Sequence, residues 1–265
     1  MLGITGVAAV GCGGAFGADV LGGGGLNLFM SDAPPLNVTA VNITIDRIEA
    51  HVSGIWADIE TEQQTIDLLT LTQNETMIGS AMVPSGNFNQ IKLYLSKVTV
   101  TDDTGTHDVQ IVGAGRRGLK LNIDGKVEEG TVEVLLDFNL EKSLIRTGNG
   151  KYKLKPVINV ILRDLAGSIS GFAVNDGGAL YGVHVDATYV DGPSYNPGTV
   201  VNTSSSIMDG SFKVWALKEG VYDLDFELYS PEGLLTHVAA SEGVVVIAGQ
   251  NTDVGDVEHT EIYLS

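Results

Sequence analysis

The chain has 265 residues, of which 43% are hydrophobic and 34 are glycine: enough apolar material for two packed cores, and too much for a disordered chain. Its 33 acidic and 15 basic residues give a formal net charge of −18, which would repel nucleic acid over most of the surface and excludes it as a partner. The single cysteine, Cys12, excludes an internal disulfide framework and a multi-cysteine metal site.

From the N-terminus, small and apolar residues run to Ala9-Val10-Gly11-Cys12, and a glycine-rich tract follows as far as Gly25. Small residues before a lone cysteine read as the end of a lipoprotein signal, with Cys12 as the lipidation candidate and the glycines as a flexible tether. The pattern departs from a full signal in that residues 1–11 contain no Lys or Arg. The alternative is that residues 4–10 are a β-strand, one that could be lent to a neighbouring copy. Elsewhere no run reaches the ~20 apolar residues of a membrane span, so membrane attachment, if any, falls to this end.

Between Leu26 and Arg163 apolar and polar residues alternate, the mark of half-buried strands. The runs are Val41 to Ile45, Gln90 to Leu95, Val98 to Val100, Thr131 to Leu136 and Lys153 to Ile161. Turn formers such as Pro84-Ser85-Gly86-Asn87, Asp102-Asp103-Thr104-Gly105 and Thr147-Gly148-Asn149-Gly150 separate them. Short strands at this spacing predict a sandwich or barrel, and only Leu68 to Met82 has room for a short helix.

The strings Ser31-Asp32-Ala33-Pro34-Pro35 and Val41 to His51 open a series of motifs in a fixed order. Thr65-Ile66-Asp67-Leu68-Leu69, Pro84 to Leu93 and Gly148 to Ile158 continue it. Together they resemble the family called domain of unknown function 4382, found in bacterial and archaeal surface lipoproteins. The resemblance implies an exported β-sandwich and carries no enzymatic role.

After Leu165, the runs Gly167 to Val174, Gly182 to Ala187, Ser206 to Val214 and Leu217 to Phe226 repeat strand, Asp-Gly or Glu-Gly turn, strand. This series is similar to the carboxypeptidase regulatory-like domain, a transthyretin-like or immunoglobulin-like sandwich that serves as an accessory module or spacer. Tyr222 then reads as a buried tyrosine pinning a sandwich corner, and the last strands are expected at Val244–Ile247 and Thr260–Leu264. The fold class is therefore all-β, with a leader and tether over 1–25, a first β-sandwich over 26–165 and a second over 166–265.

Candidate sites are sparse. On a regular strand Arg47, Glu49 and His51 share one face and Asp46 takes the other, which makes a solvated charged surface rather than acid–base machinery. The five histidines, His51, His107, His184, His237 and His259, are scattered one per region, so neither a metal nor a cofactor is expected. Gly113 to Gly118 is not a phosphate loop, and neither Asp102–Gly105 nor Asp253–Glu258 has the spacing of a calcium loop. Glycosylation motifs stand at Asn37, Asn42, Asn74 and Asn202.

The expected protein is non-catalytic, extracellular and held at the cell surface by a lipid, attached to the envelope through its N-terminus, with a structural, adhesive or binding role toward a glycan or protein. The alternative is a subunit of an extracellular filament or coat, a homopolymer built by β-strand addition of the N-terminal segment. A polysaccharide hydrolase with carboxylates drawn from distant strands is a third possibility.

Overall fold

A computed structural model describes residues 23–33, 38–113 and 117–262. Cys12 and Asn37 lie outside the described residues, as do residues 114–116 of the glycine–arginine tract. Ten strands come first: β1 (Gly23–Ala33), β2 (Ala40–Val52), β3 (Ile55–Ile59), β4 (Gln64–Asp67), β5 (Thr76–Pro84), β6 (Gly86–Asp102), β7 (Gly105–Asp108), β8 (Gln110–Ile111), β9 (Leu119–Val127) and β10 (Thr131–Asn139). A four-residue helix, α1 (Leu140–Ser143), leads to β11 (Leu144–Arg146), β12 (Tyr152–Leu154) and β13 (Ile158–Leu162). The rest of the chain adds β14 (Gly167–Asn175), β15 (Gly178–Ala179), β16 (His184–Asp191), β17 (Thr199–Ser205), β18 (Ser211–Leu217), β19 (Gly220–Tyr229), β20 (Leu235–Val246), β21 (Asn251–Glu258) and β22 (Thr260–Glu261). The chain is all-β, as expected.

Two sheets stack over the first core. One has the order β13-β10-β1-β5; the other runs β3-β2-β6-β7, with β4 on β2 and β9 on β6. Alternation turns Leu26, Leu28 and Met30 of β1 and Val41, Ile43, Ile45 and Ile48 of β2 into one apolar cluster, all of them fully buried. Fully burying side chains of this size contributes ~1.5–3 kcal/mol each. The second core lies between the sheet β15-β14-β18, with β21 on β14, and the sheet β17-β16-β19-β20-β22.

β1 is an interior strand, parallel to β10 and antiparallel to β5. Its first residues, part of the glycine tract read as tether, are already paired there. Glycine is required at position 24, where a Cβ would sit 2.2 Å from the Glu128 carbonyl oxygen.

Three expectations are corrected. The Leu68–Met82 stretch holds only a 3-10 turn, Leu68–Leu71, capped by Asp67, and then becomes β5 because β1 offers it a pairing edge. In β10, Val134 to Asn139 are buried on both faces rather than alternating, since the second set of sheets covers the outer one. Asp253–Glu258, which lacks the spacing of a calcium loop, forms most of β21, parallel to β14. A register shift between Ile45 and Arg47 leaves Asp46 and Arg47 both exposed, so Asp46 does not turn to the opposite, inner face; a bulge of this kind interrupts alternation.

Candidate functional site

The outer face of β2, β3, β6 and β9 carries the group Arg47, Glu49 and His51. Register places Trp56, His51, Gln90 and Asn122 in one row and Asp58, Glu49, Lys92 and Lys120 in the next. Glu49 takes Arg47 Nη2 at 3.0 Å, Lys92 Nζ at 3.3 Å and the Tyr94 hydroxyl at 2.9 Å. Lys92 Nζ also stands 3.6 Å from the centroid of Trp56, and His51 Nδ1 is 2.7 Å from Asn89 Oδ1. Arg47, Glu49 and Lys92 are thus paired with one another on one face, so the ladder supports the sheet.

A second concentration of polar groups lies where the two sets of sheets meet. Leu135, Ile161 and Ala216 form a small apolar cluster there, with Phe29, Ala166 and Trp215 packed around it. Trp215 Nε1 donates to the Thr72 carbonyl at 2.8 Å. Beside this cluster runs a buried polar chain. Ser31 Oγ donates to Asp137 Oδ1 at 2.9 Å, and Asn202 Nδ2 donates to Asp137 Oδ2 at 2.7 Å and to the Trp215 carbonyl at 2.8 Å. Asn139 Nδ2 donates to Thr203 Oγ1 at 2.9 Å while its Oδ1 caps α1 through the Lys142 amide. Burial pushes the Asp137 carboxyl above its usual range, against the hydrogen bonds from Asn202, Ser31 and Asn159.

At the edge of the junction His184 lies between Glu141 of α1, at 2.7 Å from Nδ1, and Asp186, at 3.3 Å from Nε2. The hydrogen bonds to Asp186 and Glu141 raise its pKa to about 10.

A cleft of about 410 Å³ opens on the same junction. Arg163 is clamped there between Glu75 and Glu133 and stands 4.7 Å from the centroid of Phe29. Lys213 Nζ lies 3.6 Å from the centroid of Trp215. Among the residues lining the cleft the only hydroxyl is that of Ser168, and it donates to Asn251 Oδ1 at 2.8 Å rather than to a base. Without a nucleophile–base pair the cleft reads as a strut between the sheets.

The remaining sequence candidates separate. Asn74 is exposed and Asn42 half-buried, whereas Asn202 is 1% exposed with its amide committed as above. Asn202 is therefore corrected as a glycosylation candidate, since a glycan needs a surface asparagine. The Asp102 carboxylate accepts from Thr104 Oγ1 at 2.6 Å and Tyr152 at 2.8 Å and contacts His107 at 3.0 Å. These bonds, that of Thr104 foremost, hold its pKa well below the usual carboxylate range and occupy the oxygens an ion would need. Among the described residues no three acidic, His or Cys side chains gather as a metal site, and no helix is long and apolar enough to cross a membrane. Sequence reasoning missed Asp137, Asn139 and Trp215. The one signal available was an Asp followed by an Asn inside an otherwise apolar strand.

Among solved structures, the chain is similar to the shaft pilin SpaA of Lactobacillus rhamnosus GG, at 7% identity over 92% of this chain and 99% of that one, with a TM-score of 0.29. It is also similar to BcpA, the major pilin subunit of Bacillus cereus, at 13% identity over 90% and 70%, with a TM-score of 0.25. The Bacillus anthracis TIE protein matches at 12% identity and a TM-score of 0.27, over 91% of this chain but only 34% of that one. The chain thus spans about a third of the TIE protein, and at such TM-scores no role is carried over from any of the three. No curated protein matches the chain. The family model for a domain of unknown function, DUF4382, matches residues 23–156. With half of its length matched, from the interior strand β1 through β12, the chain belongs to the DUF4382 family.

Proposed function

We propose that this chain is a non-catalytic structural protein of the cell exterior. In this reading two sandwich domains, residues 26–165 and 166–265, act as one stiff piece, and the N-terminal segment joins copies into a filament or coat by strand addition. The observation that carries the reading is the sealed junction. Asp137, Asn139, Asn202 and Thr203 are each no more than 1% exposed and bonded across it, beside the apolar contact of Leu135, Ile161 and Ala216. Buried and satisfied polar groups at a domain contact fix one relative orientation, which suits a subunit that transmits force or holds a spacing. Interfaces between independently moving domains are by contrast more polar and loosely held.

The second domain fits the accessory role of a carboxypeptidase regulatory-like module. Tyr222 is fully buried and its hydroxyl donates to the Lys218 carbonyl at 2.7 Å, the expected corner contact. An anchor at Cys12 is the competing reading, because cleavage before a lipidated cysteine removes residues 1–11 and with them the strand donor. Since β1 begins at Gly23, the anchored form would keep a short glycine-rich connection between lipid and sheet.

Light scattering and negative-stain microscopy of the full chain, beside a chain lacking residues 1–22, test the assembly. Polymers from the first and monomers from the second are expected; equal assembly by both overturns strand addition. Metabolic labelling with a palmitate analogue, against Cys12→Ser, tests the anchor. An unlabelled full chain at the cell surface overturns it.

A further inference from the structure

We propose that the groove between β13 and β17 is the acceptor for strand addition, and that its occupant is the apolar segment Ile4 to Val10 of a second copy. The inference rests on the assembly reading above and names the surface it needs. β13 pairs with β10 on one side only, and β17 with β16 on one side only, so each is the edge of its sheet. Asn202 to Ser205 of β17 are buried at the junction, which leaves Thr199 to Val201 as its accessible part. Between them lies a cleft of about 330 Å³ walled by Ile158, Val160, Val200, Val201 and Ala216, with Tyr195 and Lys218 also in its lining.

Free edges are normally protected by charge, proline or cover, because their unpaired N–H and C=O groups capture other strands. Neither Ile158-Asn159-Val160-Ile161-Leu162 nor Thr199 to Ser205 contains a charged residue or a proline, although the chain holds 33 acidic and 15 basic side chains. Val200 is 45% exposed on this wall. Lys218 is the one charged residue lining the groove, and the apolar, uncharged edge of β13 beside the exposed Val200 is the arrangement expected of a site kept for pairing.

The segment Ile4-Thr5-Gly6-Val7-Ala8-Ala9-Val10 has matching chemistry. It is uncharged and β-branched at Ile4, Thr5, Val7 and Val10, with only small residues between them, so it can pair along an edge and fill a narrow apolar groove. Because it precedes β1, which is held inside its own sheet, each copy would offer a donor and an acceptor on different surfaces. Such a head-to-tail contact propagates.

The test is disulfide trapping in a Cys12→Ser background. Full chains carrying one donor substitution, Ile4→Cys, Val7→Cys or Val10→Cys, are combined with Val200→Cys, and tagged and untagged copies are mixed before oxidation. Expected is a ladder of disulfide-linked multimers containing both tags for at least one pair, with none from single-site chains. Disulfides confined within single chains overturn the occupant as a second copy. Polymers that form without any trapped pair overturn the groove while leaving N-terminal assembly standing, and absence of polymers removes both. As an independent reading, Val200→Lys places a charge on an already exposed position. It is expected to lower assembly about tenfold or more, the factor that ~1.4 kcal/mol of lost association gives, with the melting temperature of the monomer unchanged. Unaltered assembly overturns the proposal.

Discussion

Asn202 donates from Nδ2 to Asp137 Oδ2 at 2.7 Å, joining β17 of the second core to β10 of the first. Both residues are essentially inaccessible. An uncompensated buried carboxylate is costly, and the amide is its main cross-junction partner.

Replacing that amide gives a signed prediction. Asn202→Ala is expected to lower unfolding free energy by about 2–4 kcal/mol, because it leaves Asp137 and the Trp215 carbonyl short of a donor in a dry site. Asn202→Asp faces one buried carboxyl with another. Asp137 already has a raised folded-state pKa, so its contribution is present at low pH and lost as pH rises through that value. The deficit of Asn202→Asp against wild type should therefore widen from acid toward neutral pH in urea unfolding. A constant deficit would refute the account.

His184 gives the complementary case. Its pKa of about 10 exceeds the ordinary 6.5 because Asp186 and Glu141 hold the imidazolium. The stabilisation is complete below pH 6.5 and disappears as pH rises toward 10, where the folded protein also loses the proton. Wild type should thus lose stability relative to His184→Gln over that window. The His184 ring resonances should stay those of the charged form at neutral pH; a midpoint near 6.5 in an NMR titration would contradict this geometry.

Much of this fold was legible in the residues. The alternation of Val41 to Ile45 and of Gln90 to Leu95 follows from one face meeting the core and the other water, a purely local rule. The rule breaks where burial has a non-local source. Leu135 lies between Val134 and Leu136, which face the first core, and is buried because the second set of sheets lies over it. The central place of β1 was invisible, since its parallel partner β10 lies about a hundred residues away and local pattern does not encode strand order. For the same reason Asn202 read as a glycosylation motif: its Asn-Thr-Ser string is correct for one, and only the junction shows its amide turned inward.

Tyr222 tests the corner contact. Its ring is packed against Tyr189 at 5.3 Å, and burial pushes the phenol pKa well up. The residue that opens its strand, Gly220, has φ +152°, and a Cβ there would lie 2.4 Å from Tyr189 Cε2. Tyr222→Phe keeps the ring and removes only the bond to the Lys218 carbonyl, so a loss of about 1–2 kcal/mol is expected. Gly220→Ala collides with the neighbouring ring and should cost more. Calorimetry on the two variants decides the order, and a larger loss for Tyr222→Phe would place the strain elsewhere.

The three described glycosylation motifs should separate by exposure if the chain is made in a host that modifies them. Asn74 is exposed between the 3-10 turn and β5, and an enzyme can reach it without opening a sheet. Asn42 sits within β2 between Asp67 and Thr99, half-buried, so modification there would displace neighbours on both flanking strands. Asn202 would have to leave Asp137 and the Trp215 carbonyl, breaking the junction first. Peptide mass spectrometry of folded protein should find glycan at Asn74, less at Asn42 and none at Asn202. Glycan at Asn202 in protein that keeps the native melting temperature would mean that the junction is not closed as drawn.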